Sequence, residues 1–204
     1  MLNKNSQLRI IAGKFRGRKI FFNVANTELR PTLNRVRETL FNWITPYIVG
    51  AHCLDLFAGS GIFSFEALSR GAKYSLSVEQ NYDTYQNIIT NKANLSLDDQ
   101  EFHIIHQDAL LFLQRQNLLF GLSSNVNNRF NIVFLDPPYN KGDTILLDSL
   151  SLLTNNNFLQ AKSKIYFECD TNNHIFTEHN LPKDIQLIKS GKAGKVYFYL
   201  AEYA

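Results

Sequence analysis

Cysteine is scarce in this chain of 204 residues. Its two cysteines, Cys53 and Cys169, lie far apart in apolar surroundings and form no Cys-x-x-Cys spacing. We therefore expect buried, reduced thiols and not a disulfide or a metal site. The five histidines, among them His103 and His106, also have no potential metal ligands at a usable spacing. The composition thus argues against a disulfide scaffold and against a metal-dependent protein.

Long apolar runs are missing as well. No run approaches the length that crosses a membrane. The first twenty residues contain six basic residues in place of the apolar core of a signal peptide: Lys4, Arg9, Lys14, Arg16, Arg18 and Lys19. We expect a soluble cytoplasmic protein. The hydrophobic content of 45% is enough for the core of one α/β domain with a short appendage.

The charge is distributed unevenly along the chain. Residues 1–37 contain nine Lys or Arg and one acid, a balance of +8, whereas the other residues contain 12 basic and 17 acidic residues, a balance of −5. This asymmetry indicates a polyanion-binding arm on an acidic body, although a solvated tail would show the same charge. The basic residues alternate with apolar ones, which favours two short strands at 8–12 and 17–22, joined around residues 13–17. The arm would present Arg9, Lys14, Arg16, Arg18 and Lys19.

An amphipathic helix follows the arm. Apolar residues recur at helical spacing from Leu33 to Tyr47, and Pro31 with Thr32 is a plausible start. The apolar face belongs to the core. Three arginines, Arg30, Arg35 and Arg37, form either a solvated helix face or a border of the cofactor and the nucleic-acid backbone.

A nucleotide-binding βαβ unit opens the main domain. A short strand at 52–56 leads into a turn with Gly59 and Gly61, then a helix at 62–70 capped by Gly71. The next strand, 74–78, ends at Glu79, where a carboxylate can accept both hydroxyls of a ribose. Each signal is weak alone, since glycine turns and strand-terminal acids are common.

Further elements alternate in the same way. We predict a helix at 81–94, a strand at 102–105, and a helix from Asp108 to about residue 119. Asp108 is either the N-cap of that helix or a hydrogen-bond acceptor for an adenine amino group. After residue 140 the pattern predicts a helix near 143–153, a strand at 163–168, and an antiparallel pair at 184–189 and 195–201 connected by residues 191–195.

The most specific stretch is an apolar strand at 131–135 that ends in Asp136-Pro137-Pro138-Tyr139. The prolines fix their own φ angles and restrict the residues before them, so the carboxylate and the ring are held by covalent geometry. An Asp-Pro pair by itself would only terminate a strand. The full motif resembles that of S-adenosylmethionine-dependent methyltransferases acting on planar exocyclic amino groups.

The alternation predicts a doubly wound, mostly parallel sheet with its ligand across the carboxyl ends of the strands, where Asp55, Glu79, Asp108 and Asp136 fall. In order along the chain stand Arg9-Ile10-Ile11-Ala12-Gly13, Arg16-Gly17-Arg18, Arg30-Pro31-Thr32, Arg35-Val36-Arg37-Glu38-Thr39-Leu40-Phe41-Asn42, Asp55-Leu56-Phe57-Ala58-Gly59-Ser60-Gly61 and Asp136-Pro137-Pro138-Tyr139. Together these blocks resemble the bacterial RsmD family, which methylates the N2 amino group of one guanine in 16S ribosomal RNA. The resemblance implies a Rossmann-like class I methyltransferase fold of seven strands with an antiparallel C-terminal hairpin, preceded by a small β-hairpin and helix extension. It divides the chain into an arm at 1–31 and a methyltransferase domain at 32–204.

The resemblance also implies roles for individual residues. Asp136, Pro137 and Tyr139 would be catalytic, and RNA would be bound by Arg9, Lys14, Arg16, Arg18, Arg30, Arg35 and Arg37. S-adenosylmethionine would be bound by Asp55, Phe57, Ala58, Gly59, Gly61, Glu79, Asp108 and Asp136, without a metal. Family members often carry Phe at the position of Tyr139, which keeps the ring. The expected partner is 16S rRNA in the small ribosomal subunit or its assembly intermediate, bound by a monomer.

Two other functions are compatible with parts of the pattern. An adenine-N6 DNA methyltransferase shares the Asp-Pro-Pro-Tyr motif but needs a target-recognition region for which this chain has little room. A catalytically silent RNA-binding assembly factor would need the basic arm but not the glycine turn, Glu79 and Asp136.

Overall fold

The structure is a computed structural model that describes residues 5–23, 34–115, 129–138, 142–170 and 180–204. Its strands are β1 (Asn5–Arg9), β2 (Lys19–Asn23), β3 (His52–Asp55), β4 (Tyr74–Glu79), β5 (Phe102–His106), β6 (Phe130–Leu135), β7 (Leu159–Asp170), β8 (Ile185–Ala193) and β9 (Val196–Tyr203). Its helices are α1 (Asn34–Ile48), α2 (Ile62–Ser69), α3 (Tyr82–Asn94), α4 (Ala109–Gln114) and α5 (Gly142–Asn155). None of the helices within these ranges combines the length and the apolar character needed to cross a membrane.

Seven of the strands form one sheet in the order β5-β4-β3-β6-β7-β9-β8. The first five in that order are parallel, and β9 runs antiparallel to both β7 and β8. This confirms the predicted fold class, including the antiparallel C-terminal hairpin. The strand order reverses between β3 and β6, and in open α/β sheets ligands bind at such a switch point, outside the carboxyl ends of the strands.

Helices cover both faces of the sheet, which explains why the central strand is a continuous apolar run. Side chains from one face of β6, Ile132 and Phe134, are buried in a cluster with residues of α1, α2 and α3. Val133 and Leu135 from the other face are buried in a second cluster with residues of α4 and α5. A strand buried on both faces has no solvent side and therefore no polar alternation.

The N-terminal segment is an ordered antiparallel hairpin, as predicted, but its strands are Asn5–Arg9 and Lys19–Asn23. Residues 10–12 and 17–18, predicted as strand, lie in the connecting loop. Ile10 still exchanges backbone hydrogen bonds across the hairpin, donating to the Arg18 carbonyl at 3.0 Å and accepting from Gly17 N at 2.9 Å, but from Ile11 the loop bonds to α2 instead. Ile11 and Ala12 donate their backbone N–H groups to the Glu66 carboxylate at 2.8 and 3.1 Å, and Lys14 donates to the Ser69 carbonyl at 2.7 Å.

The hairpin also shares the core of the main domain. Ile10 and Ile20 are buried in the same cluster as α1 and α2. Strand β2 docks on α3 through the side-chain amide of Asn91, which accepts from Phe21 N at 3.0 Å and donates to Phe21 O at 2.7 Å. The Asn91 amide thus satisfies the backbone N–H and C=O groups of Phe21, which a neighbouring strand would otherwise bind. The division of the chain near residue 31 stays a prediction, because residues 24–33 lie outside the described ranges.

The C-terminal strands are longer than the pattern predicts. Strand β7 begins at Leu159 because its first residues pair with Phe130 before a register shift. The expected connection at 191–195 belongs mostly to β8, which extends to Ala193. Only a tight turn remains, and Gly194 supplies its positive φ of 59°.

Candidate active site

Four acidic residues lie at the carboxyl ends of neighbouring parallel strands, as the sequence predicts. Asp55 ends β3 and Glu79 ends β4. Asp136 follows β6, and Asp108 stands two residues after β5. Because β3 and β6 are adjacent, Asp55 and Asp136 flank the point where the strand order reverses.

The glycine turn after β3 is held between β6 and β4. Leu56 donates its N–H to the Phe134 carbonyl at 3.2 Å, and Ala58 donates to the Val78 carbonyl at 3.1 Å. Gly59 and Gly61 have φ angles of 50° and 74°, which side chains disfavour. Ala58 is buried and Phe57 half-buried. Since Gly61 caps α2 without a side chain, the first N–H groups of this helix remain available to an anionic group of a ligand.

Glu79 ties this turn to the end of β4. Its carboxylate accepts from Gly59 N at 2.8 Å and from Asn81 N at 2.7 Å. Burial raises the pKa of Glu79, and these backbone hydrogen bonds oppose the rise. A carboxylate has about four lone-pair positions, so acceptor capacity remains for a diol. Glu79 therefore serves the turn and can serve a ligand.

Asp55 is buried beneath the turn, with only 1% of its surface exposed. Burial raises its pKa to about 8, and the nearby charge of Asp136 adds to the effect. The Ser64 hydroxyl lies 3.3 Å from the Asp55 carboxylate and 2.8 Å from the hydroxyls of both Ser75 and Ser77. The sequence analysis missed this buried hydroxyl network. Its signal was serine at alternate positions of an otherwise apolar strand.

Asp108 caps α4, which was one of its two predicted roles. Its carboxylate accepts from Leu111 N at 2.9 Å. Its backbone is extended, with φ −67° and ψ 137°, as expected for an N-cap. The contact with an adenine stays a prediction.

The end of β6 presents Asp136 in a half-buried position, followed by buried Pro137 and exposed Pro138. The Asp136 side chain therefore reaches the surface at the switch point. Tyr139 lies outside the described residues, and its predicted role stays a prediction.

An aromatic cluster beside Glu79 was also missed. Tyr82 and Tyr85 are on the first turn of α3. The centres of their rings lie 5.5 and 5.3 Å from the centre of the His106 ring at the end of β5. The Nε2 atom of His106 lies 2.9 Å from the Gln80 carbonyl oxygen. The aromatic spacing in residues 82–85 was its only signal, and helical cores show similar spacings.

The basic loop of the N-terminal hairpin lies near the amino ends of the parallel strands, on the opposite side of the sheet from the carboxyl ends that carry Asp136. Lys14 forms an ion pair of 2.9 Å with Glu101, which precedes β5, and Arg18 donates to the Asn94 carbonyl at 2.6 Å, at the end of α3. Helix α3 has 13 residues, and at about 1.5 Å per residue it separates this loop from the carboxyl edge by about 20 Å. Arg9 donates to the Gly17 carbonyl at 3.1 Å, and Arg16 is exposed. Predicted RNA contacts of this loop are therefore remote from Asp136.

The helix arginines differ in exposure. Arg35 is exposed on the first turn of α1, and Arg30 lies outside the described residues. Arg37 is 0% exposed, so its predicted contact with RNA is wrong for this conformation. Its Nη2 atom donates to the Arg9 carbonyl at 2.7 Å and to Asn34 Oδ1 at 3.1 Å. Arg37 thus holds the root of the hairpin to α1, while its Nε and Nη1 atoms have no hydrogen-bond partner among the described residues.

Comparison with known proteins agrees with this geometry. A family profile described as "Conserved hypothetical protein 95" matches residues 8–202. The ribosomal RNA small subunit methyltransferase D of Haemophilus influenzae is 39% identical over 200 residues, which cover 97% of this chain and 95% of that protein. The relative of the same name from Escherichia coli K12 is 38% identical, covering 96% and 90%.

A solved structure, the yhhF protein of Escherichia coli, superposes with a TM-score of 0.79 at 35% identity and covers 97% of this chain and 98% of that one. More distantly, the 16S rRNA N2 G1207 methyltransferase RsmC of Thermus thermophilus has a TM-score of 0.69 at 17% identity, covering 98% of this chain and 50% of that one, and it shares the fold. The identity and coverage of the first relatives are high enough to establish common membership. The chain belongs to the RsmD family of ribosomal RNA small subunit methyltransferases.

Proposed function

We propose that this protein transfers a methyl group from S-adenosylmethionine to the N2 amino group of a guanine in 16S ribosomal RNA. The observation that supports the proposal most directly is the arrangement at the switch point. The Asp136-Pro137 turn, the glycine turn and Glu79 occupy one edge of three adjacent strands. The chemistry requires a cofactor site and an amine acceptor side by side, and this edge offers both.

The residues present fit the proposed cofactor. Mutual repulsion among the carboxylates of Asp55, Asp136 and Glu79 contributes to the raised pKa of Asp55, which marks an electronegative site. A sulfonium cation with an attached ammonium group would relieve that repulsion. The remaining lone pairs of Glu79 suit a ribose diol, and the N–H groups at the start of α2 suit a carboxylate. When bound, the cofactor supplies an electrophilic methyl group.

The protein's main task is to orient a weak nucleophile. The lone pair of a guanine amino group is delocalised into the ring, so the nitrogen reacts only when it becomes pyramidal. In the proposed mechanism, Asp136 accepts a hydrogen bond from one amino hydrogen and the Pro137 carbonyl accepts from the other, which directs the lone pair along the line of attack. Transfer would form the N–C bond as the bond between the methyl group and sulfur breaks, with S-adenosylhomocysteine as the leaving group.

The product must then lose one proton. The methylated nitrogen carries a positive charge and two hydrogens, and its N–H group is strongly acidic, so a weak base is sufficient, and Asp136 or water accepts the proton. Tyr139 would stack on the extruded base, a contact worth about 1–3 kcal/mol in single-strand recognition. The Pro137-Pro138 pair limits the conformations open to this turn and so keeps the acceptors aligned.

In this proposal the substrate is 16S rRNA, either free or within a small-subunit assembly intermediate. The reaction takes place in the cytoplasm. The names of the Haemophilus and Escherichia relatives support ribosomal RNA of the small subunit as the class of substrate. The choice of guanine N2 draws on the amine-accepting turn, and RsmC, which shares the fold, is named for the same atom.

The test is single-turnover methylation by the Asp136→Asn variant, with nucleoside mass spectrometry of small-subunit RNA that lacks the modification. Removing one preorganised electrostatic partner costs about 10²–10³ in rate, and we expect a loss of that size while the variant still binds the cofactor, as measured by calorimetry. Asp184→Asn is the matched control, because Asp184 is exposed next to the start of β8, at the opposite edge. An Asp136→Asn rate equal to that of the parent would disprove the mechanism, and a methylated adenine in place of guanine would disprove the assigned substrate.

A further inference from the structure

The C-terminal hairpin, formed by β8 and β9, carries a concentration of positive charge that the sequence analysis did not assign. Residues 185–201 contain three lysines and no acid. All three, Lys189, Lys192 and Lys195, are exposed. Strand β8 is at the end of the sheet, so this charge faces solvent along a free edge.

The strand register places these lysines level with the active site. Leu135, the last residue of β6, is level with Phe167, then Tyr199, then Ser190 across the sheet. By the same pairing, Asp136 is level with Gly191. Lys189 therefore lies one residue before Leu135 along the strand direction, and Lys192 one residue beyond Asp136. Strands are about 4.8 Å apart, so three spacings put the backbone of β8 about 14 Å from that of β6.

The hairpin projects past the end of β6. Strand β7 continues for three residues after Phe167, paired with β9 as far as Val196. At about 3.3 Å per residue, the turn at Gly194 and Lys195 stands about 10 Å beyond Leu135. The end of the C-terminal hairpin therefore projects beyond the Asp136 turn on one side of it.

Aromatic rings contact two of the lysine side chains, one on each face of the C-terminal hairpin. Lys192 Nζ lies 4.8 Å from the centre of the Tyr197 ring and 3.3 Å from its hydroxyl. On the other face, Lys189 Nζ lies 5.9 Å from the centre of the Trp43 ring. Such contacts reduce the freedom of an ammonium group without neutralising it. The end of the hairpin therefore presents partly ordered ammonium groups, and within the described residues none of the three lysines forms a salt bridge.

A glycine makes this packing possible. A Cβ atom on Gly191 would lie 2.3 Å from the Phe198 ring, so the ring lies directly across the backbone of β8. Phe198 in turn packs against Trp43, with 5.3 Å between the ring centres and an angle of 30° between the ring planes. The hairpin end is thus supported by α1 and is not a loose flap.

We propose that the end of the β8–β9 hairpin, through Lys189, Lys192 and Lys195, binds the phosphate backbone of the RNA substrate beside the target nucleotide. This inference rests on the proposed function, because it names a surface for the same substrate. The separation of about 14 Å from β6 is short enough for a few nucleotides to bridge. The N-terminal basic loop cannot take this role, since it lies near the amino ends of the parallel strands, whereas the target site is at their carboxyl ends.

The experiment compares RNA binding by the parent with that of the triple variant Lys189→Ala/Lys192→Ala/Lys195→Ala, using protein-free 16S rRNA fragments at several salt concentrations. Each lost phosphate contact on single-stranded RNA reduces the salt slope by about 0.7, so we expect a reduction of about two and a loss of affinity on the order of tenfold at moderate salt. The corresponding Lys→Arg triple variant keeps the charge and should bind as the parent does.

Two controls separate this surface from general charge and from folding. A triple Ala variant of Lys73, Lys162 and Lys183 removes the same charge from exposed positions toward the other edge and should retain the parent's affinity. The hairpin variant should bind the cofactor normally and, at saturating RNA, keep the parent's single-turnover rate. An unchanged affinity and salt slope in the hairpin variant would overturn the proposal. It would also be overturned by a loss of binding to small-subunit particles but not to protein-free RNA, which would identify a protein partner. If the parent bound RNA through this surface but methylated no guanine, the proposed function alone would fail.

Discussion

At the scale of single residues, burial decides what the acidic edge can do. Asp136 is half-buried and reaches the surface, whereas Asp55 is buried beneath it. Glu79 spends part of its acceptor capacity on Gly59 and Asn81. The sequence grouped these carboxylates correctly at one edge but could not rank their exposure. In the proposed mechanism Asp136 therefore contacts the substrate, whereas buried Asp55 does not.

The raised pKa of Asp55 predicts a pH dependence of stability. In the folded protein its pKa is about 8, compared with an ordinary value of 3.8. Between these values the folded state holds a proton that the unfolded state does not, so this contribution is complete below about pH 4 and is lost as the pH rises to 8. We expect Asp55→Asn to remove a decline approaching 1 kcal/mol per pH unit, measured by urea unfolding from pH 5 to pH 8.

The matched control for this measurement is Asp184→Asn, which alters an exposed carboxylate. It should keep the parent's pH dependence. Parallel stability curves for the parent and Asp55→Asn would show that Asp55 is already ionised in the folded protein at neutral pH.

At the scale of elements, the N-terminal hairpin is joined to the main domain through its loop. The Glu66 carboxylate accepts from Ile11, Ala12 and the Arg70 side chain, and the Ser69 hydroxyl accepts from Phe15 N at 2.9 Å. Gly13 makes this close approach possible, because it has a positive φ and its backbone lies against Ser69. A hairpin of two strands would be marginal alone, and these contacts give it a fixed place.

Gly13 and Gly17 offer a controlled test of that joint. Their φ angles, 84° and 80°, are nearly equal, so alanine suffers similar backbone strain at both, about 1–2 kcal/mol. A Cβ atom at position 13 would lie 1.8 Å from the Ser69 carbonyl oxygen, whereas nothing lies within 4 Å at position 17. We expect Gly13→Ala to cost clearly more than Gly17→Ala and to release the Ile11, Ala12 and Lys14 amides, as measured by urea unfolding and hydrogen exchange. Equal costs and retained protection would refute the joint.

At the scale of the whole molecule, two basic surfaces lie at opposite edges of the sheet. The C-terminal hairpin stands beside Asp136, and the N-terminal loop lies about 20 Å away along α3. An RNA that contacts both must extend along the face covered by α2 and α3. The N-terminal surface would then recognise a larger structure around the target, while the C-terminal surface would hold its immediate neighbourhood.

Substitution of Arg16 and Lys19 by alanine tests the remote surface. Both side chains are exposed, whereas Arg9 and Arg18 donate to backbone carbonyls and their loss would also disturb the hairpin. For a long 16S rRNA fragment we expect the salt slope to fall by about one unit per lost phosphate contact, with cofactor affinity unchanged. A short fragment that cannot reach the loop should bind the variant and the parent alike. An unaltered slope with the long fragment would assign these charges to a solvated surface.

The amino-acid sequence by itself determined the fold class, the order of the elements and the identity of the acidic edge. Strand-ending acids and glycine turns are local signals, and parallel strands bring their carboxyl ends together whatever the details of packing. The exact extent of the hairpin strands could not be read in this way, because Ile11 and Ala12 donate to Glu66, 55 and 54 residues away.

The tertiary structure alone decided which charges face solvent and at which edge. Arg35 and Arg37 are two residues apart in a helix, yet one is exposed and the other holds the Arg9 carbonyl inside the protein. The basic loop near the N-terminus folds down along α2 and α3 to the far edge, while lysines near the other end of the sequence return to the active site on β8. Proximity of this kind depends on strand order and register, which are set by long-range packing and leave no trace in the local pattern of residues.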